Sequence, residues 1–262
     1  MQITNSNEPL NVLVARPEKK AQALSSLLSK QDITCISQPL FDYQPLAEHQ
    51  ESEEMLTTAD ILIFVSVAAV EYANICIAAK HWKYQHIIAV GKATKAALHA
   101  LALEGIHCPS QENSEGVLTL NILNKNILNK NITIIRGDGG REHLATELNK
   151  RGAITQYLES YQKVWRTFPK DIDKQWHQQR INCIVVTSNA LLKKLLQLIK
   201  ATDINISNDM TNYWRHHCAW VVASKRIADL AQKLGLTNVL QSDGANEKAI
   251  SAVLERLIIK KN

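Results

Sequence analysis

Three strand–turn–helix patterns occur twice in this chain, and no other feature narrows its fold so far. The first is Asn11-Val-Leu-Val-Ala15, an apolar run that reads as a buried strand. Arg16-Pro17 and a helical spacing of Ala21, Leu24, Leu27 and Leu28 follow. Pro17 suits the first turn of a helix, where its missing N–H costs nothing. A second strand is expected over Ile33–Ile36. The plan restarts at Asn131. Ile132-Thr-Ile-Ile135 leads into Arg136-Gly-Asp-Gly-Gly140, a helix with Leu144 and Leu148, the turn Arg151-Gly152 and a strand over Ala153–Leu158. Arg16 and Arg136 hold the same place, 120 positions apart.

The other two patterns pair in the same way. Asp60-Ile-Leu-Ile-Phe-Val-Ser66 matches Asn182-Cys-Ile-Val-Val-Thr-Ser188, each a strand ending in serine. They run into expected helices over Val70–Ala79 and Ala190–Ile199. Ile87-Ile-Ala-Val-Gly91 matches Ala219-Trp-Val-Val-Ala-Ser224, with helices expected over Thr94–Leu103 and Ile227–Leu234. Gly105 and Gly235 are placed as helix stops. Alternating strands and helices predict parallel sheets covered by helices. The fold class expected is α/β: two parallel-sheet α/β lobes of similar topology joined by a two-stranded connector. The connector strands are residues 39–46 and 156–166. Lobe 1 is then discontinuous, residues 1–38 plus 167–262, and lobe 2 is residues 47–155. The tail from Asn246 spaces Ala249, Ile250, Val253, Leu254, Leu257 and Ile258 as a packed amphipathic helix. The tandem Asn121-Ile-Leu-Asn-Lys125 and Asn126-Ile-Leu-Asn-Lys130 reads as helix end plus loop.

Composition removes several classes of function. Of 262 residues, 45% are hydrophobic and 21% charged, which excludes a disordered chain, a fibrous repeat and a disulfide miniprotein. Five cysteines, with no C-x-x-C pair, read as reduced thiols of a cytoplasmic protein. The opening, residues 1–8, has neither a basic nor an apolar region of an export signal. The most apolar stretch, Ile61–Ala79, is broken by Ser66, Glu71 and Asn74, so no bilayer span and no membrane partner is expected. The net charge of +5 suits an anionic small ligand. It comes without a basic cluster, so nucleic acid is not an expected partner.

In open α/β sheets a ligand sits beyond the carboxyl ends of the strands. Those ends here carry Arg16, Ser66, Gly91-Lys92, Arg136-Gly137, Ser188-Asn189 and Ser224-Lys225. All are small, polar or cationic, and each precedes a helix N-terminus that favours carboxylate or phosphate. Any single serine among them also reads as a plain helix cap. Arg136-Gly-Asp-Gly-Gly-Arg141 resembles a dinucleotide loop, and Glu159 lies 22 residues after Gly137. Its third glycine position is Glu142, however, and the sister loop Ala15-Arg-Pro-Glu18 has no glycine. His216-His217-Cys218 has no partner ligands at metal-site spacing, so it reads as a solvated pair before a strand. Tyr43, Tyr157 and Tyr161 lie on the connectors, where ring packing across a ribbon is the plain reading.

In this order and spacing, the residues resemble the uroporphyrinogen-III synthase family over nearly the whole chain. The stretches that carry the likeness are Val14-Ala-Arg-Pro17, Asp60–Ser66, Ala89-Val-Gly-Lys-Ala-Thr94 and Asn113-Ser-Glu-Gly-Val-Leu118. They continue with Ile135–Arg141, Leu148-Asn-Lys-Arg-Gly152 leading to Tyr161, Val186-Thr-Ser-Asn189 and Val222-Ala-Ser-Lys-Arg226. The resemblance implies two α/β lobes with a cleft between them, and a cofactor-free lyase. Its substrate would be hydroxymethylbilane, a linear tetrapyrrole, closed to uroporphyrinogen III with loss of water and inversion of the terminal ring. The product feeds haem. No metal or organic cofactor is implied; a monomer is the default, with room for transient contact with the preceding, bilane-forming enzyme. Tyr161 matches the family tyrosine that assists hydroxide departure. Thr94 and Ser114 join the strand-end residues as implied substrate contacts. The first serine loop departs from the family's Thr-Ser-x-Asn, with Val65 and Ala68 in place of the threonine and asparagine. Two readings compete: a bilobal small-molecule-binding protein, against which the absent signal and short linkers argue, and a nucleotide-dependent α/β enzyme, against which the glycine count argues.

Overall fold

A computed structural model describes residues 9–31, 33–46, 49–124, 127–140, 142–201 and 208–259. The opening segment 1–8, Lys125-Asn126 of the tandem and Arg141 of the glycine loop lie outside them. In chain order the elements begin with β1 (Asn11–Val14), α1 (Glu18–Ser29), β2 (Thr34–Ser37), β3 (Phe41–Pro45), α2 (His49–Thr57), β4 (Ile61–Phe64), α3 (Val67–Cys76), β5 (His86–Ala89), α4 (Lys92–His99) and β6 (Ile106–His107). Then come α5 (Ser114–Leu118), β7 (Asn131–Gly137), α6 (His143–Lys150), β8 (Ile154–Trp165), α7 (Ile172–Gln178), β9 (Cys183–Val186) and α8 (Asn189–Leu198). The chain ends with α9 (Asp209–Asn212), β10 (Ala219–Val222), α10 (Lys225–Lys233), β11 (Val239–Gln241) and α11 (Glu247–Ile259).

These residues divide into two compact units, Met1–Asp42 with Trp165–Asn262, and Tyr43–Val164. The first holds a sheet in the order β11-β10-β9-β1-β2, with every recorded pairing parallel. The other sheet has the order β3-β8-β7-β4-β5-β6. There β8-β7-β4-β5-β6 pair parallel. The two parallel orders correspond strand for strand: β1 with β7, β9 with β4 and β10 with β5. These are the three pairs that the sequence repeat matches, so the α/β class and the similar topology hold. β3 lies antiparallel to β8, since the Leu46 N–H bonds the Ser160 carbonyl and the Arg166 N–H the Leu40 carbonyl.

Helices on both faces bury the central strands β1, β4, β9 and β10 completely, which is why those strands are almost wholly aliphatic. Alternation sorts their side chains. Leu62 and Phe64 of β4, with Ile87 and Ala89 of β5, join Val70 and Ala73 of α3 on one face. Ile61, Ile63 and Ile88 join Val117 of α5 and Leu144 and Leu148 of α6 on the other. The first unit packs Val12 and Val14 with Leu24 and Leu28 of α1 and Ile250 and Leu254 of α11.

The helices begin a little earlier than the apolar spacing suggests, because the strand-end residues cap them. Ser66 Oγ accepts the Ala69 N–H at 3.0 Å, and Ser188 Oγ accepts the Leu191 N–H at 3.2 Å. Ser224 precedes α10 without a side-chain cap bond. The strand expected over Ala153–Leu158 and the connector after it are one strand, β8, of 12 residues. Tyr213–His217 forms a π-helical turn before β10, with His216 and His217 exposed.

Candidate active site

A cavity of about 390 Å³ opens at the carboxyl end of the second unit's sheet. It sits where the strand order reverses, between β4 and β7, the usual ligand position of such sheets. Val65 and Val90, just past β4 and β5, line it with Asn113 and Ser114 at the start of α5. Asn113 caps that helix through the Gly116 N–H at 2.8 Å. The opposite wall is Arg136–Gly140, Tyr157, Tyr161, Lys163 and, from β3, Tyr43.

A bulge in β8 aims the central tyrosine. Arg136 pairs with Glu159, but Gly137 pairs with Tyr161, so Ser160 is an extra residue. Strict alternation would put Tyr157 and Tyr161 on the same face of the sheet. Instead Tyr157 packs against the α5 and α6 side, and Tyr161 against the α3 side. The inserted Ser160 is buried, its hydroxyl donating to the Arg136 carbonyl at 3.3 Å. Redirection of one side chain is what bulges do near functional sites.

Tyr161 is held on every side. Its hydroxyl lies 3.1 Å from Ser66 Oγ. Its ring is edge-on to Tyr43 at 4.8 Å and tilted against Tyr72 at 5.5 Å. Tyr72 donates to the Tyr43 carbonyl at 2.6 Å, fixing the trio. Gly137 is the floor: a Cβ there would stand 2.7 Å from the Tyr161 ring. Burial pushes the Tyr161 phenol up from its ordinary value, the Ser66 bond opposes this, and the charge of Asp138 adds to it. Tyr43 is pushed up to about 12, by burial first and then by Tyr161 and Tyr72. Both phenols therefore keep their protons at neutral pH. Either hydroxyl can donate in the Ser66–Tyr161 pair, and in the arrangement where Ser66 donates the phenol proton is left for a ligand.

The charges around them are ordered. Glu159 Oε1 accepts from Arg136 Nε at 3.2 Å and Nη2 at 3.0 Å, and from the Gly139 N–H at 3.0 Å. The Arg136 guanidinium lies over the Tyr157 ring, 3.5 Å from its centre. Its Nη1 is buried with no hydrogen-bond partner among the described residues. Lys163, half-buried, has its pKa pulled down by burial and raised in part by Asp138. The Asp138 N–H donates to the Tyr161 carbonyl at 2.8 Å, which ties the loop tip to β8.

Of the residues singled out in the sequence, Tyr161, Ser114, Arg136 and Gly137 line this cavity, and Ser66 bonds Tyr161 directly. Gly91, Lys92 and Thr94 do not line it. Gly91 caps α4 beside Glu112, Lys92 is exposed and Thr94 is 4% exposed within α4. In the first unit, Asn189 and Lys225 line a shallow depression with Arg226, Asp229, Leu230 and Lys233. Ser188 is committed to its helix cap. Arg16, at 4% exposure, donates to Glu247 at 3.3 Å and to the Ala245 carbonyl at 2.8 Å. Its guanidinium is spent on holding α11, which leaves little of it for a ligand. Asp138, Lys163 and Asn113 were not singled out, and Tyr43 was read as packing. Their signals were position: Asp138 in the glycine loop, Lys163 and Tyr43 on the connectors, and Asn113 at the head of the family-like stretch Asn113–Leu118. Among the described residues no group of three or more His, Cys, Asp or Glu is placed to hold a metal ion. None of their helices is long and apolar enough to cross a membrane.

The fold and cavity define a duplicated parallel α/β protein with a cavity lined by phenols and cations at a strand-order switch. The sequence profile described as "Uroporphyrinogen-III synthase HemD" matches residues 22–252, and the chain belongs to that family. It is 29% identical over 254 residues to the uroporphyrinogen-III synthase of Escherichia coli K12, covering 94% of this chain and all of that one. It is 27% identical to that of Proteus mirabilis, covering 71% of this chain and 98% of the other. A mutant uroporphyrinogen III synthase structure from Thermus thermophilus superposes with TM-score 0.61 at 13% identity, covering 96% and 99% of the two chains. The Helicobacter pylori structure gives 0.61 at 11%, covering 95% and 99%. These solved structures share the fold.

Proposed function

We propose that this chain closes hydroxymethylbilane to uroporphyrinogen III, inverting the terminal ring and releasing water, as a lyase of haem biosynthesis. The observation that carries the reading is the protonated Tyr161 phenol, braced by Ser66 and Gly137 on the wall of a cation-bearing cavity. Arg136 through Nη1, Lys163 and Ser114 offer partners to substrate carboxylates. Asn189, Ser224 and Lys225 of the first unit are further proposed contacts. Tyr161 gives its proton to the leaving hydroxyl, so that water departs rather than hydroxide. Help of this kind is worth about 10²–10⁴-fold. The azafulvene left behind closes wrongly in free solution. The remaining task of the site is to hold one folded conformation and keep competing closures out.

The experiment is to incubate purified protein with freshly generated hydroxymethylbilane and separate the product isomers. Isomer III supports the reading. Isomer I alone, at the rate seen without protein, overturns it.

A further inference from the structure

We propose that Asp138 is a second catalytic residue of this site, its carboxylate facing the cation that forms when hydroxide leaves. The inference rests on the reaction proposed above. Asp138 lines the cavity at the tip of the glycine loop. Its Oδ1 accepts the Lys163 backbone N–H at 3.4 Å, and its own N–H bonds the Tyr161 carbonyl at 2.8 Å. The loop is thus fastened to β8 at Tyr161 and two residues beyond it, and the carboxylate acts electrostatically on the phenol and on Lys163. The other acid of this wall, Glu159, is matched to Arg136.

For binding alone, Asp138 is misplaced. A wall that receives many carboxylates loses affinity through an anion of its own, since like charges in such a site repel. Lys163 meets part of its charge, and what remains serves a ligand only where the ligand is positive. A positive charge appears during the reaction. The C–O bond of the hydroxymethyl group breaks and its electron pair leaves with oxygen, which takes the Tyr161 proton and departs as water. The pyrrole nitrogen lone pair then forms the azafulvenium, whose N–H is a strong donor to a carboxylate. The terminal ring attacks through its substituted α-carbon, forming a spiro centre. The bond from that carbon to its old methylene bridge then breaks, leaving a second azafulvenium on the neighbouring ring. The free α-carbon of the terminal ring closes on that bridge, its proton returning to the Tyr161 phenolate. One water is lost and the site is restored. An anion beside Tyr161 meets the charge where it develops and is weak in the ground state, which is the arrangement that raises turnover.

Asp138→Asn tests this in the full chain. Asparagine keeps the Oδ1 acceptor and the backbone bond while removing the charge, and the exposed position tolerates it. The expected result is a fall in kcat of about 10- to 100-fold with KM unchanged or lower, because an anion has left a site for a polyanion. Asp138→Glu restores most of the rate. A kcat within about twofold of the unaltered chain overturns the proposal, and so does a raised KM at constant kcat. Asp138→Ser gives the same readings if asparagine disturbs the loop, with the thermal transition measured for both. Absence of isomer III from the unaltered chain would instead sink the reaction itself.

Discussion

At the scale of residues, the site depends on how tightly Tyr161 is enclosed. Tyr161→Phe removes the proton donor and the Ser66 bond but keeps the packed ring. Turnover should fall about 10²–10⁴-fold with an unchanged thermal transition. Unaltered turnover would return Tyr161 to a packing role. Its pH dependence follows from what surrounds it. Burial and Asp138 raise its pKa, Ser66 lowers it, and Tyr43 and Tyr72 press on it as neutral rings. A donor works only while protonated, so kcat should hold past the ordinary tyrosine pKa and fall as pH rises through the raised one. A decline beginning below pH about 10 would contradict the enclosed phenol. Gly137→Ala sets a Cβ 2.7 Å from the ring, and β7 at its back leaves the ring as the part that moves. Overpacking of this kind costs about 1–3 kcal/mol. Here it should appear chiefly as lost turnover, because the displaced group carries the chemistry. A variant with full activity would show that the ring position matters little.

At the scale of elements, the caps and the bulge differ in how visibly they are written. Ser66 and Ser188 stand one residue before α3 and α8, and each satisfies a backbone N–H of the first turn. Ser188→Ala should cost about 0.5–2 kcal/mol in denaturant unfolding of the first unit. No loss would mean that water replaces the cap. The central strands β1, β4, β9 and β10 were legible because each is a short, almost wholly aliphatic run, and a strand covered on both faces leaves little polar to blur it. Arg136, Gly137 and Tyr161 were legible as strand-end residues or by family likeness. The bulge was not. Ser160 has no glycine or proline to mark it, and only the register between β7 and β8 reveals the extra residue. Tyr43 and Lys163 were missed as site residues for the related reason that their place depends on long-range pairing, β3 with β8, between segments far apart in the chain. Arg16 stands level with Arg136 in the repeat, yet the structure gives the two different surroundings. Both pair with a glutamate, but Arg136 lines the cavity with Nη1 unpartnered among the described residues, whereas Arg16 is bonded to Glu247 and the Ala245 carbonyl, far along the chain where no local pattern announces them.

At the scale of the whole molecule, the two units share a topology but not a chain order, and their folding should differ for that reason. The second unit is one continuous segment. Among the described residues, its apolar clusters around Phe64 and around Ile134 draw only on residues between 43 and 164. A segment of about 120 residues with its own closed core is an ordinary folding domain. Expressed alone, it should melt cooperatively and keep the alkaline titration of Tyr161 seen in the full chain. The first unit is built from two segments that meet inside one sheet. β1 lies between β2 and β9, and α1 supplies Leu24 and Leu28 to the core that α11 closes. Residues 165–262 alone would leave β9 as a bare hydrophobic edge and α11 without its partner, a state prone to aggregate. The expected outcome is a sharp transition for residues 43–164, none for residues 165–262, and recovery of the latter when residues 9–42 are supplied. Cooperative melting of residues 165–262 by themselves would show that β1 and α1 are ornaments of that sheet rather than its centre.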